Sequence, residues 1–357
     1  METHLYDLCM HLKSNFDINV LVANTEPKTV TEMIDGVRVT RLANWGELFS
    51  TPICPTFPHH IKQLDGCENT IIHMHLPNPM AHISYLLAKP KGKLLVEWHS
   101  DIVRQRRLSR LYEKFLFKLL ERANRIVATS PNYVEHSLFL SKFRDKCVIV
   151  PLGISLGKFR TSSRVRKGAE EIRRVSREKI VLFVGRLTYY KGLDVLLSAA
   201  TDIAGRIIIV GDGPLRQHLR DQIKRLRLDN KVFMKHDVDN EELVALYHAC
   251  DVFVLPSNER SEAFGLVQLE AMACGKPVVS TNLETGVPWV NQHEVTGLVV
   301  PVNDATSLAS ALNIILGDKN KREQYGRNAL QRVVQNFSLD SINKQMEGVF
   351  DEILTTT

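Results

Sequence analysis

The chain has 357 residues, 44% of them hydrophobic, which is too long for one ordinary α/β core and suits two domains of roughly 150 to 180 residues each. Its longest apolar runs, such as 207–210 and 252–255, are strand-sized; none approaches the ~20 residues of a transmembrane helix, so an integral membrane protein is not expected. The formal charge of +6 is uneven: residues 1–160 carry a net +6, residues 161–180 a net +4 and residues 181–357 a net −4. A basic first half suits an anionic acceptor or an anionic membrane surface, and no nucleic-acid partner is expected.

Six cysteines, Cys9, Cys54, Cys67, Cys147, Cys250 and Cys274, stand mostly within or beside apolar runs with no metal-like spacing. Buried free thiols in a reducing compartment fit that pattern. With no basic-then-apolar leader at the start, the expected location is cytoplasmic.

In chain order, 1–13 reads as a helix, with Leu5, Leu8, Cys9 and Leu12 on one stripe. Strands follow at 18–23, 37–42 and 70–75; the last carries His73 and His75, read as polar residues near a strand end or, less simply, as site residues. The strand 94–98 delivers His99-Ser100-Asp101 at its carboxyl end, where ligands collect in open α/β sheets. His99 there is either a capping and packing residue or part of a site.

The segment 101–125 interleaves Arg104, Arg106, Arg107, Arg110, Lys114, Lys118, Arg122 and Arg125 with leucines and Phe115. Such a basic amphipathic helix can lie on an anionic bilayer, or it is simply a solvated helix face. Strands at 125–128 and 147–150 close the first domain. The polar run 161–178 shows no apolar periodicity and reads as a linker.

A strand at 180–184 enters Gly185-Arg186-Leu187-Thr188-Tyr189-Tyr190-Lys191-Gly192, a glycine-flanked loop before a helix. Two cations five residues apart on such a loop can reach one diphosphate, or are exposed surface charges. The strand 207–210 ends in Gly211-Asp212-Gly213-Pro214, a turn that lets backbone approach a ligand. The strand 252–255 ends in Pro256-Ser257 and a polar loop before a helix from about Gly265 to the Gly275-Lys276-Pro277 stop, an arrangement that presents helix N–H groups to an anion. Glu262 in that loop and Glu270 in that helix, eight residues apart, line one pocket or are solvated helix-terminal acids.

The spelling from Glu262 to Thr281, E-A-F-G-L-V-Q-L-E-A-M-A-C-G-K-P-V-V-S-T, resembles the Glu-x7-Glu signature of the retaining family 4 glycosyltransferases, which have a GT-B fold. The run from Gly185 to Gly192 resembles the same family's G-R-L-x-x-x-K-G. The resemblance covers the chain and is sharpest between 180 and 300.

It implies two Rossmann-like doubly wound domains facing a cleft, with an acceptor-binding domain at 1–160, a donor-binding domain at 179–337 and a crossover helix at 338–357. It implies a nucleotide-diphosphate sugar as donor, a glycan or lipid-linked molecule as acceptor, and a place in surface polysaccharide synthesis. Arg186 and Lys191 would face the diphosphate. Gly211, Gly213, Ala263, Phe264, Gly265 and Leu266 would border the donor, Glu262 would orient its sugar, Glu270 its ribose, and His99 the sugar and incoming acceptor.

No cofactor is expected. Metal-dependent transferases often neutralise the leaving group through Asp-x-Asp; the chain reads as lacking it, so Arg186, Lys191 and a helix N-terminus would serve instead. The region 232–243 departs from the family pattern, with Lys235 at the usual glycine. The family's first strand and Gly-Gly loop have no counterpart before 1–13, so the strands 18–23 and 70–75 are expected to lack the neighbour between them. A non-catalytic nucleotide-sugar-binding partner and a GT-B glycoside phosphorylase are the alternatives.

Overall fold

The computed structural model describes residues 2–48, 51–65, 69–101 and 106–355. The chain forms two compact units, one of residues 1–128, 137–150 and 343–357, the other of 129–136 and 151–342. Each has its own parallel sheet, and the first adds a mixed sheet and a short antiparallel pair.

The first unit opens with the helix Glu2–Leu12. Its strands are β1 Asn19–Ala23, β2 Val30–Ile34, β3 Val37–Leu42, β4 Glu47–Leu48, β5 Thr51–Pro52, β6 Ile71–Leu76, β7 Lys93–Trp98, β8 Arg125–Ala128 and β9 Cys147–Ile149. One sheet runs β1-β3-β2 and another β6-β7-β8-β9, while β4 and β5 form a short pair. β1 and β6, the strands expected to lack a shared neighbour, lie in separate sheets.

Sequence reading missed β2, which returns to β3 through Asp35 at φ 47° and Gly36 at φ 88°. Asp-Gly with both residues left-handed is a preferred hairpin turn, and that dipeptide was the available signal. β6 and β7 run parallel with His75 opposite Glu97. β7 is buried along nearly its whole length, which is what a parallel strand covered on both faces requires.

The last helix, Leu339–Thr355, supplies residues from Asn343 onward to the first unit. There Lys93 Nζ donates to the Ile353 carbonyl at 2.9 Å, and the Phe350 ring stands 5.6 Å from Phe16.

The second unit holds β10 Ile180–Val184, β11 Arg206–Val210, β12 Val232–Lys235, β13 Val252–Leu255, β14 Val278–Thr281 and β15 Gly297–Val300. All are parallel, in the order β12-β11-β10-β13-β14-β15. The order reverses between β10 and β13, and in doubly wound sheets the crevice at the carboxyl ends of that pair is where ligands bind.

The linker expected over 161–178 is instead a helix, Ser163–Ser176, with Ser162 as its cap accepting from the Val165 amide. Val165, Ala169 and Ile172 pack on Val244, Ala245 and Ala249 of the helix Asn240–Ala249. The contact face carries only these three apolar residues and Gly168 between many cations. Gly168 allows the close approach, since a Cβ there would come within 3.1 Å of Ala245.

Candidate active site

In the second unit three loops meet beside the switch point. The loop after β10 lies against the end of β13, because a Cβ on Gly192 (φ 66°) would fall 1.9 Å from the Pro256 carbonyl oxygen. The loop after β11 lies against the first loop, because a Cβ on Gly211 (φ 143°) would fall 2.0 Å from the Gly185 carbonyl oxygen. Glycine is required at both places by space as well as by conformation. Gly213 follows, with its amide donating to Asp212 at 2.7 Å; that bond, aided by Arg216, holds the Asp212 carboxyl below its ordinary value.

Across these loops Lys191 and Glu262 form a buried ion pair, Nζ to Oε2 2.5 Å, with each side chain 9% exposed. The same carboxylate oxygen accepts from the Ser257 hydroxyl at 2.9 Å. Glu262 is therefore no solvated helix-terminal acid: charges this buried persist only when paired and hydrogen-bonded. Arg186 on the same loop is exposed, and its guanidinium has no hydrogen-bond or ion-pair partner among the described residues.

The helix Leu266–Ala273 starts from Gly265 at φ 76°, and no side chain caps it; the Gln268 amide donates to the Gly265 carbonyl at 2.9 Å, which leaves the Leu266 and Val267 N–H groups of the first turn open. Ala263 is tied through its carbonyl to the Gly286 amide at 2.8 Å. The Phe264 side chain belongs to the core, with ring contacts to Trp289 and Phe337, so any ligand contact falls to its backbone. Leu266 is exposed.

Glu270 accepts a 2.6 Å hydrogen bond from the Tyr247 hydroxyl. Burial pushes its carboxyl above the ordinary value, with the Tyr247 bond opposing. Burial and the neighbouring Glu270 push the Tyr247 phenol up.

In the first unit, His99 belongs to a group that sequence reading did not assemble. Glu97, 2% exposed, is ringed by His4 Nε2 at 2.8 Å, His73 Nε2 at 3.0 Å, His75 Nδ1 at 3.5 Å and His99 Nε2 at 3.6 Å. The rings of His75 and His99 stack, with His75 Nδ1 and His99 Nε2 2.9 Å apart.

Burial lowers the affinity of His75 and His99 for protons. The surrounding histidines hold the Glu97 carboxyl well below its usual range despite the opposing cost of burial. The missed signal was His-x-His on one strand and Glu-x-His on the next: alternate residues share a face, and parallel pairing puts the two faces side by side.

One further sequence reading needs correction. An Asp-x-Asp does occur, Asp237-Val238-Asp239, but Asp239 caps the helix Asn240–Ala249 by accepting from the Glu242 amide, and Asp237 sits in a left-handed turn at φ 54°. Both account for themselves as local structure.

The basic segment forms a helix over Arg106–Arg122. Arg104 lies outside the described residues. The five described cysteines are free thiols, and Cys67 lies outside the described residues.

Comparison with known proteins decides the family. Residues 166–332 match the family described as Glycosyl transferases group 1, and residues 1–158 match Glycosyltransferase Family 4. The O-antigen chain mannosyltransferase C of Escherichia coli is 36% identical over 309 residues, 86% of this chain and 82% of that one. The chain is a family 4 glycosyltransferase.

The D-rhamnosyltransferase WbpZ of Pseudomonas aeruginosa is 33% identical over 339 residues, covering 95% of this transferase and 88% of its own length. Among solved structures, sucrose-phosphate synthase from Thermosynechococcus elongatus superposes with a TM-score of 0.80 at 24% identity, covering 99% of this transferase and 94% of that chain. The Anabaena protein HepE, solved in complex with UDP, gives 0.79 at 21% identity, with 98% and 96% covered. The transferase thus has the GT-B fold expected from its sequence. No described helix is long and apolar enough to cross a membrane.

Proposed function

We propose that this glycosyltransferase moves a hexose from a nucleotide-diphosphate sugar to a glycan or lipid-linked acceptor of surface polysaccharide synthesis, with retention of configuration and without a metal at the donor. The observation that carries the reading is the buried Lys191–Glu262 pair at the switch point, beside the exposed Arg186 and the uncapped N-terminus of the helix Leu266–Ala273. These are the groups that a diphosphate leaving group and a sugar hydroxyl need. The relatives' names, a mannosyltransferase of O-antigen chains and a rhamnosyltransferase, support the donor and acceptor classes.

In this reading Arg186, Lys191 and the helix N–H groups neutralise charge as it develops on the diphosphate. A diphosphate drawn to Lys191 competes for it with Glu262, whose carboxylate then turns to the donor's sugar hydroxyls. Glu270 takes the ribose. His99, neutral near pH 7, orients the sugar and the incoming acceptor.

The acceptor oxygen bonds to the anomeric carbon on the face that the phosphate oxygen leaves. That oxygen takes the acceptor's proton, so no enzyme nucleophile is required. The basic segment 104–125 docks the enzyme on the anionic, cytoplasmic face of the membrane that carries its acceptor.

The test is a thermal-shift screen of nucleotide sugars, followed by transfer with the stabilising donor and assignment of product configuration by NMR. Retention, undiminished by a chelator, is the expected result; inversion, or reversible loss of transfer with chelator, would sink the mechanism. For the membrane contact, Arg104, Arg106, Arg107 and Arg110 are changed together to Gln. Each basic residue is worth about 1 kcal/mol near an anionic surface, so vesicle sedimentation should fall by orders of magnitude at low salt. Unchanged sedimentation returns the segment to a solvated helix face.

A further inference from the structure

We propose that His73, His75 and Glu97 form a binding site for a zinc-like divalent cation, apart from the transfer chemistry. Buried polar atoms are normally hydrogen-bonded. Among the described residues, His73 Nε2, His75 Nε2 and Glu97 Oε2 are all buried without a hydrogen-bond partner, one from each of these three residues.

Two of the residues use their other polar atom elsewhere. Glu97 Oε1 meets His4 Nε2 at 2.8 Å, and His75 Nδ1 meets His99 Nε2 at 2.9 Å. His73 Nε2 and Glu97 Oε2 are 3.0 Å apart but not aligned as donor and acceptor. Three buried polar atoms without hydrogen bonds, one on each residue of a close-set group of two imidazoles and a carboxylate, are an arrangement that a cation can satisfy.

The dimensions agree. One donor atom from each of the three residues lies within 4.8 Å of the others. Zinc bonds of about 2.0–2.2 Å place tetrahedral ligands roughly 3.3 Å apart, so a small rotation of the side chains closes the set.

Two imidazoles and one carboxylate suit zinc and its transition-metal neighbours, whereas magnesium and calcium want oxygen alone. The ligands stand on paired parallel strands, with His75 opposite Glu97, which fixes their spacing through the backbone. The His4 contact supplies the outer hydrogen bond that metal-bound carboxylates commonly have. His99 touches His75 and Glu97 without being a ligand, so metal uptake, measured without substrate, tests the site separately from the transfer reading.

The test uses the untagged full-length chain, stripped with chelator and titrated with cobalt(II), followed by displacement with zinc against a fluorescent chelator. One saturable equivalent is expected, with visible cobalt bands that zinc abolishes. Loss of an outer-shell partner alone weakens metal binding roughly 10- to 100-fold, so His73→Ala and His75→Ala should each cost at least that. His218→Ala, in the other unit, should cost nothing.

X-ray absorption on the zinc-loaded wild type needs no variant, and it should report nitrogen and oxygen neighbours including imidazole. Absence of saturable uptake, sulfur in the metal's shell, or a folded His73→Ala that binds as tightly as wild type would each overturn the site.

Discussion

The switch-point crevice of the second unit and the histidine cluster of the first are both buried polar sites, yet they are built in opposite ways. The crevice is assembled from short contiguous motifs: Gly185 to Gly192 brings Arg186 and Lys191, and Ser257 to Glu270 brings both carboxylates. Its shape depends on backbone, since Gly192 and Gly211 stand where any side chain would strike a carbonyl. The cluster joins His4 to Glu97 across 93 positions, and its shape depends on side chains that strand register places together. A site of the first kind can be read as a motif, whereas one of the second kind appears only once the strands are paired.

The contrast is testable through substitutions. The largest effect should come from Glu262→Gln, which removes a carboxylate at the proposed donor and leaves the Lys191 ammonium buried without its partner. Transfer should fall on the order of 100- to 1,000-fold, and stability by about 3 kcal/mol or more, as when one member of a buried pair is lost. Adding Lys191→Met should recover much of the melting temperature and none of the transfer. If the single variant transfers normally, Glu262 has no place at the donor.

Next in size is Gly192→Ala, which puts a methyl group against the Pro256 carbonyl in a left-handed residue. A cost of roughly 2–3 kcal/mol and weaker donor binding are expected. Gly317→Ala is the control, since a Cβ there meets nothing within 4 Å, and it should be neutral. Equal melting temperatures for the two variants would mean that the loops do not depend on glycine.

Tyr247→Phe should cost about 1–2 kcal/mol by leaving the Glu270 carboxyl without its hydrogen bond. Glu270 also carries a pH signature. Burial raises its folded value above the ordinary 4.5, so the folded state favours the protonated acid. Its contribution is fully present below the unfolded value and is lost as pH rises through the raised folded one. Glu270→Gln should therefore gain stability relative to wild type as pH climbs from about 4.5 through that window. A pH-independent difference in melting temperature would show the carboxyl is not desolvated.

The smallest effect, about 1 kcal/mol, is expected from Ser162→Ala, which removes the cap of the helix Ser163–Ser176. A variant melting like wild type would mean that this helix hardly supports the unit.

How far each part was legible follows from the same physics. The β10, β11 and β13 runs are continuous and apolar because helices cover both faces of their sheet, so the architecture of the second unit and the loops of its crevice could be read directly. The direct pairing of Lys191 with Glu262 could not, because it depends on the packing of one loop against another. The helix Ser163–Ser176 was hidden because its buried face is made of Val165, Ala169 and Ile172 among cations, too weak an apolar stripe to stand out. Glu97 was passed over as the one acid in an apolar strand, since nothing nearby in sequence names its four histidine neighbours.

The helix Leu339–Thr355 sets a timetable for the nascent chain. The first unit is made first but depends on residues made more than two hundred positions later: Phe350 lies against Phe16 and His73, and the Ile353 carbonyl holds Lys93. The second unit holds 151–342 within it and can complete its six-stranded sheet while synthesis continues. Domains generally fold in the order they emerge; here that order is reversed for completion. The first unit must stay unfinished on the ribosome, its surface at Phe16 and Lys93 uncovered, until the segment that covers it has been translated.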